Sequence, residues 1–192
     1  LSPASNGVAA AASRASAAAA DADELQKRLE ALGLEATAFD GGSLAMLRRL
    51  DHPVLIPVAV VPTPVPAVAV AESDRRWLAL TGFDGDRAWL AGLVPGRVVS
   101  VNLDELSPRW LEAGVIVWKN HEQLAARVER GAPESSIRWL QGALSELGYL
   151  TTAPTGRFDV PTATALRDFQ TANDIVEEGA VGPLTQIALY GK

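Results

Sequence analysis

The sequence predicts an α+β domain with an antiparallel sheet, followed by a small domain of three helices. β-Branched segments and a hairpin signal fill the middle of the chain, whereas leucine stripes at helical spacing and an internal repeat fill the part after residue 134. The chain has 192 residues, of which 48% are hydrophobic and 21% are charged. This length and composition suit two small ordered domains that each bury a core.

The N-terminal part predicts a weakly anchored lead-in and two short helices. Residues 1–22 are rich in Ala and Ser and hold almost no large apolar side chain that could dock a helix. Residues 23–32 carry leucines at helical spacing, and Gly33 follows where a helix would end. Residues 34–39 are expected to form an extended connection, and Ser43 is expected to open the second helix.

Strands are predicted from Val54 onward. β-Branched residues dominate there, and Asp84-Gly85 between two apolar runs is the strongest hairpin signal in the chain. With the preceding helices, these runs predict an antiparallel meander that ends near Asn120. The predicted elements are strands at residues 54–61, 67–71, 76–83, 87–93, 98–103 and 115–118, and a short helix around residues 106–110.

The C-terminal part contains an internal repeat. Gly156–Leu166 and Gly179–Leu189 share a glycine, an apolar residue two positions later, a threonine four positions after that, and a closing Ala-Leu pair. Each copy predicts a tight turn that leads into a helix, with Phe158 entering the core in the first copy. Asp159 is the expected N-cap of that helix. A leucine stripe over residues 137–147 predicts a third helix ahead of the repeat.

Composition excludes several kinds of site and partner. Because the chain has no Cys, it has no disulfide, thiolate metal site or cysteine nucleophile. A net charge of −6 without a concentrated basic face argues against nucleic acid and anionic lipid as partners. His52 and His121 belong to no ligand cluster, so neither a metal nor another cofactor is predicted.

Neither a membrane span nor a signal peptide is predicted. The longest apolar stretch, residues 53–71, is interrupted by prolines at 57, 62, 64 and 66, which would break a spanning helix. Residues 1–20 lack the basic start and compact apolar core of a signal peptide. We therefore expect a soluble piece of a larger parent protein, and any membrane anchor would lie in the parent.

Aromatic residues outside the turns are expected to be buried. Trp77, Trp89, Trp110 and Trp118 are predicted core anchors of the middle region, and Phe169 is predicted to lie in the core of the C-terminal domain. An exposed cluster of tryptophans would instead indicate a protein interface.

Short motifs after residue 134 point to a binding module. They are Leu140-Gln141, Leu147-Gly148-Tyr149, Phe169-Gln170 and the run from Gly179 to Thr185. In this order and at these separations they resemble the three-helix peptidoglycan-binding module that is appended to many cell-wall enzymes. Thr155 and Glu178 depart from the Asp that the family often has before its turn glycines.

The middle region carries a second resemblance. Its motifs are Gly33-Leu34, residues 43–57, the Trp77–Gly82 strand and residues 110–118. Together with the module, they resemble the periplasmic part of the general secretion pathway protein A (ExeA-type) family over residues 23–190. The resemblance implies a degenerate papain-like domain, related to bacteriocin-processing peptidases, in front of the peptidoglycan-binding domain. The family's cytoplasmic ATPase is not represented, since no phosphate-binding Gly-x-x-x-x-Gly-Lys-Ser/Thr loop occurs in the sequence.

The papain-like resemblance also indicates where catalytic residues would be sought. Such an enzyme needs a Cys at a helix start, a His at a strand start, and an Asp or Asn that orients the His. Near these positions the chain has Ser43, Arg75-Arg76 and Leu93-Val94-Pro95. All three roles are vacant, so no enzyme activity is predicted. A replacement nucleophile is the alternative to a plain helix cap for Ser43.

Five residues are the candidate peptidoglycan contacts. Glycans offer apolar faces for stacking, and stem peptides carry carboxylates and amides, which suit aromatic, cationic and amide side chains. The alternative for one candidate, Asn173, is a cap at the end of its helix. The candidates are Tyr149, Arg157, Asp159, Gln170 and Asn173.

We predict a non-enzymatic periplasmic segment that binds peptidoglycan and contacts protein partners. By the resemblance, its parent works with a B-type partner protein to place the type II secretion secretin through the cell wall, and homo-oligomerisation would add avidity. Two alternatives stay open: a cell-wall hydrolase fragment targeted by the module, and an interaction domain without wall affinity. The predicted division is a lead-in (1–22), a peptidase-like domain (23–120), a linker (121–134) and a peptidoglycan-binding domain (135–192).

Overall fold

The structure, a computed structural model, describes residues 21–60, 70–71, 74–118, 127–176 and 179–191. By its contacts the chain divides into two compact units, Leu1–Lys119 and Asn120–Lys192. Some sequence predictions fall outside the described residues. They concern residues 1–20, most of the strand at 67–71, His121 and Glu178.

The N-terminal unit is a six-stranded sheet with short helices before and within it. The strand order is β1-β6-β2-β3-β4-β5, and the paired neighbours are antiparallel. The predicted α+β class, with an antiparallel sheet and N-terminal helices, is confirmed. The elements are α1 (Ala22–Ala31), β1 (Glu35–Asp40), α2 (Leu44–Leu50), β2 (Val54–Ala59), β3 (Arg75–Asp84), β4 (Arg87–Val94), β5 (Arg97–Asn102), α3 (Leu103–Leu106) and β6 (Ala113–Trp118).

The sheet differs from the predicted meander at its last strand. Strands β2 to β5 follow one another as predicted, but β6 returns to lie between β1 and β2. Val115 and Ile116 of β6 are fully buried, which favours a central position because an edge strand leaves more of its surface open to water. Residues 34–39, predicted as a connection, lie mostly in the edge strand β1, which pairs with β6.

Two local predictions in this unit, a helix cap and a hairpin turn, are confirmed, and a predicted short helix lies a few residues earlier than expected. The Ser43 hydroxyl caps α2, accepting a hydrogen bond from the Met46 N–H at 2.9 Å. Strands β3 and β4 form the predicted hairpin, whose turn has Gly85 at a φ of 56°. The helix predicted at residues 106–110 lies instead at Leu103–Leu106, where the acidic residues of its first turn favour a helix start.

The core beside α1 contains one of the four tryptophans of this unit. Leu25 and Leu29 of α1 pack in one cluster with Trp77 of β3 and with side chains of β1, β2 and β6. Trp110 is also buried, as predicted, whereas Trp89 on β4 is 40% exposed. The prediction that Trp89 is a core anchor is therefore wrong, because β4 lies beyond the strands on which α1 packs.

The C-terminal unit is helical, as predicted. Its described helices are α4 (Glu134–Glu146), α5 (Val160–Ala172) and α6 (Pro183–Tyr190). Phe169 is buried as expected, but Phe158 is only half-buried, so its prediction as a core residue is wrong. Its partner in the repeat, Val181, is fully buried and exchanges backbone hydrogen bonds of 3.0 and 2.7 Å with Val128, which lies ahead of α4.

Candidate functional site

A buried glutamine holds the turn of the first repeat copy. Gln141, on α4, is 1% exposed. Its amide nitrogen donates to the Thr162 hydroxyl at 2.8 Å and to the Arg157 carbonyl at 3.0 Å. Its amide oxygen accepts from the Gly156 N–H at 2.8 Å. This one side chain thus fixes the backbone on both sides of the 156–157 peptide and ties it to the start of α5.

The second copy has an equivalent glutamine. Gln170, on α5, is also 1% exposed. Its amide nitrogen donates to the Thr185 hydroxyl at 3.1 Å and to the Ala180 carbonyl at 2.9 Å. Thr185 is the repeat's counterpart of Thr162, and Ala180 that of Arg157. The sequence repeat is therefore also a repeat of hydrogen bonds.

Asp159 caps α5, as the sequence predicts. One of its carboxylate oxygens accepts from the Thr162 hydroxyl at 2.6 Å and from the Thr162 N–H at 3.1 Å. These two bonds, the hydroxyl one first, lower the pKa of Asp159 below its ordinary value, because they stabilise the charged form. In the second copy Gly182 takes this position, and no side chain caps α6.

The connection between α4 and α5, residues 147–159, presents an aromatic and a cationic side chain; we name it the α4–α5 loop. Tyr149 is half-buried, and its ring meets Phe169 edge-on with centroids 5.4 Å apart. Arg157 is exposed, while its carbonyl is held by Gln141. A partly exposed ring can stack on a sugar face, and a free guanidinium can pair with a carboxylate. The loop thus offers a stacking ring and a cation on a backbone that Gln141 fixes.

The five predicted contact residues divide into two groups. Tyr149, Arg157 and Asp159 lie in the α4–α5 loop, where they reach the surface. Gln170 and Asn173 are buried, at 1% and 4% exposure. The Asn173 side chain donates to the Phe169 carbonyl at 2.8 Å, which matches the helix-end role left open for it.

Sequence reasoning did not select Gln141 as a site residue, although a signal was present. A polar residue at this position stands inside the apolar stripe of α4, next to Leu140 and three residues before Leu144. Such a residue must find partners when it is buried. The Phe169-Gln170 pair, which precedes the second repeat copy as Leu140-Gln141 precedes the first, gives the same indication.

Of the positions sought for peptidase chemistry, two line one groove and Ser43 does not. Ser43 is engaged as a helix cap. Arg76 and Leu93 line a common groove of the N-terminal unit, and Ser43 is not among its lining residues. Within the described ranges, no cluster of three or more His, Asp or Glu side chains could hold a metal ion. His52 lies with Nδ1 2.6 Å from the Leu50 carbonyl oxygen.

As for membranes, the helices in the described part of the chain are all too short or too polar to span a bilayer.

Residues 133–189 match the family model described as the putative peptidoglycan binding domain. Among solved structures, the chain is similar to a periplasmic domain of the EpsAB fusion protein of the Vibrio vulnificus type II secretion system, with 17% identity and a TM-score of 0.42. The similarity covers 82% of this chain and 64% of that one, so this chain spans less than two thirds of that neighbour's length. No curated protein matches the chain.

Proposed function

We propose that this chain is a peptidoglycan-binding periplasmic part of a type II secretion accessory protein, because residues 133–189 match the family model of the putative peptidoglycan binding domain. The family match carries the wall-binding half of the proposal. The sequence resemblance of residues 23–190 to general secretion pathway protein A supports the secretion half. In this proposal the parent is anchored in the inner membrane and helps to place the outer-membrane secretin through the wall.

The α4–α5 loop is the proposed contact with peptidoglycan. Tyr149 stacks on a sugar face or an apolar stem side chain, and Arg157 pairs with a stem-peptide carboxylate. Asp159 caps the start of α5 and carries a negative charge in the same loop as Tyr149 and Arg157. Gln170 and Asn173 act through the fold rather than by contact, since their amides already bind groups of the domain.

The N-terminal unit is proposed to be a degenerate papain-like domain that binds protein partners and catalyses no reaction. The chain has no Cys, and Ser43 is occupied as a cap. The proposed partners are a B-type secretion protein and the assembling secretin. Residues 121–134, predicted as a linker, then join a domain at 23–120 to the wall-binding domain at 135–192, and Val128 within them is paired to Val181 of that domain.

Anchoring through many weak contacts is the proposed mechanism. A single aromatic and a single cation give modest affinity for each wall site. Oligomerisation of the parent would multiply that affinity, because neighbouring copies bind a polymer whose sites repeat. A wall-anchored oligomer would keep its protein-binding units at the place where the secretin must cross.

Co-sedimentation with purified sacculi, followed by analysis of the soluble fraction, tests this function. The proposal predicts that the chain pellets with sacculi and releases neither muropeptides nor reducing ends. Release of such products would favour the hydrolase alternative. A chain that stays in the supernatant would favour an interaction domain without wall affinity.

A further inference from the structure

The N-terminal unit contains a groove that the proposed wall binding does not use. Its cavity volume is about 260 Å³. The groove lies where the end of β2 meets α3 and the strands β3 to β5. Its apolar lining consists mainly of Val58, Leu78, Leu90, Leu93, Val101 and Leu106.

Two arginines flank the groove on either side of β2. Val58 pairs with Arg76 of β3 on one side and forms an isolated bridge with Trp110 on the other. The neighbouring Ala59 N–H donates to the Arg109 carbonyl at 2.8 Å. The backbone on both sides of β2 is thus fixed by hydrogen bonds. It places the guanidinium groups of Arg76 and Arg109 on opposite sides of the apolar lining.

The positive charge of the groove lies on Arg76 and Arg109. Neither Arg76 nor Arg109 makes a side-chain hydrogen bond or ion pair with any residue that the structure describes. Arg76 is exposed and Arg109 is half-buried. The lining holds one carboxylate, Glu105, so its charge is net positive on a chain whose net charge is −6. The charge beside the groove is opposite in sign to that of the chain as a whole.

We propose that this groove binds a peptide segment of a partner protein in which a large apolar side chain lies between carboxylates. Pockets for whole cofactors or drug-sized ligands range from about 300 to 1,000 Å³, so this smaller volume suits one or two side chains. An apolar anchor in a pocket with a charged rim is the usual arrangement of a protein-binding hot spot. The two arginines would pair with the flanking carboxylates, since guanidinium matches carboxylate geometry.

Methyl NMR on the full chain tests the proposal with a defined peptide, acetyl-Gly-Asp-Leu-Asp-Gly-amide. We expect its titration to shift the methyl signals of Val58, Leu93 and Val101, while those of Val181 and Leu140 in the C-terminal unit stay in place. The matched peptides with Asn or Lys in place of both Asp should bind at least about tenfold more weakly, because they lose the charged pairs. Sodium decanoate tests whether an anionic acyl chain fits equally well.

Three variants separate the rim charges from general electrostatics. Arg76→Gln and Arg109→Gln should each weaken binding of the Asp peptide by about threefold to tenfold. Arg97→Gln removes the same charge from an exposed site of β5 that does not line the groove, and should change binding by less than about twofold. The proposal is overturned if the groove methyl signals do not shift with the Asp peptide, or if the Lys peptide binds as tightly as the Asp peptide. It is also overturned if decanoate binds and the Asp peptide does not, or if all three variants weaken binding of the Asp peptide equally. Because none of these readouts involves sacculi, failure of this groove and failure of wall binding are distinguishable.

Discussion

The amide nitrogen of Gln141 lies 2.8 Å from the hydroxyl oxygen of Thr162, inside the C-terminal unit. That hydroxyl in turn donates to the Asp159 carboxylate at 2.6 Å. The three side chains thus link α4, the start of α5 and its cap in one line of hydrogen bonds. This line supports the α4–α5 loop, which carries Tyr149 and Arg157. Gln170 and Thr185 repeat the first link in the second copy.

Replacing Gln141 should destabilise the C-terminal unit. Gln141→Leu keeps the volume but leaves the Gly156 N–H and the Arg157 carbonyl without their buried partner, at a cost of about 1–3 kcal/mol in free energy of unfolding. Urea unfolding of the full chain, followed by the methyl NMR signals of Leu140 and Val181 in that unit, measures this loss. Glu146→Gln, on an exposed site of the same helix, is the control and should stay within about 0.5 kcal/mol of the parent. An unchanged midpoint for Gln141→Leu would contradict the account.

Substitutions in the α4–α5 loop should reduce wall binding. Arg157→Gln removes an exposed cation and Tyr149→Ala removes a stacking ring, and we expect each to lower the bound fraction in sacculus pelleting by about threefold or more. Arg130→Gln is the matched control, since Arg130 is exposed and lies outside the loop. If the control loses as much binding as Arg157→Gln, the contact is nonspecific charge attraction and the loop is not the site.

A side chain at position 156 should destabilise the C-terminal unit. Its φ is 74°, and an added Cβ would lie 3.0 Å from Arg138 Nε and still closer to the Glu134 side chain. Gly156→Ala should therefore lower the melting temperature of the C-terminal unit, by strain and by displacement of the loop. Gly142→Ala provides the contrast, because Gly142 lies in the helix α4 with nothing within 4 Å of an added Cβ. Gly142→Ala should raise the free energy of unfolding of the unit by about 0.5–1 kcal/mol. The reverse order of the two variants would refute the assigned geometry.

The stability of the C-terminal unit should depend on the charge of Asp159. Its pKa is lowered in the folded state, so its contribution is fully present above the ordinary value of 3.8 and is lost as the pH falls through the lower folded value. Thermal unfolding between pH 6 and about pH 2 measures this slope. Asp159→Asn keeps a capping oxygen but cannot titrate, so it should flatten the acid limb. An equally steep limb in the variant would show that other carboxyls cause it.

Ser43 should matter for stability and not for chemistry. Ser43→Ala removes the cap of α2 and should cost about 1 kcal/mol in free energy of unfolding. Ser43→Asp restores a capping oxygen without a nucleophilic hydroxyl, and it should recover that stability. A hydrolytic activity on sacculi that disappears in both variants would contradict the structural role and support a serine nucleophile.

The sequence predicts best what is set by neighbouring residues. Ser43 and Asp159 were identified as caps, and Asp84-Gly85 as a hairpin turn, because each depends on a few adjacent positions. The place of β6 between β1 and β2 depends on pairing across the sheet, which no local signal carries. The exposure of Trp89 has the same cause, since it depends on how far α1 reaches over the sheet.

The candidate site was predicted in part for a similar reason. Tyr149 follows from its position at a helix end, where side chains reach the surface, and Arg157 follows from the match of a cation to stem-peptide carboxylates. The residue types of Gln170 and Asn173 suit a ligand equally well, and only their burial shows that they bind the domain itself. Gln141 was missed because its partners, Gly156 and Thr162, lie 15 and 21 positions away in the sequence.

The most direct test of the central claim compares the full chain with a truncation after Asn120 in the sacculus assay. The account predicts that the full chain pellets with sacculi without releasing muropeptides, and that the truncated chain stays in the supernatant. Equal pelleting of both chains would show that wall affinity lies in the N-terminal unit, contrary to the account. A full chain that fails to pellet, or that releases muropeptides, would contradict the proposal of a non-enzymatic peptidoglycan anchor.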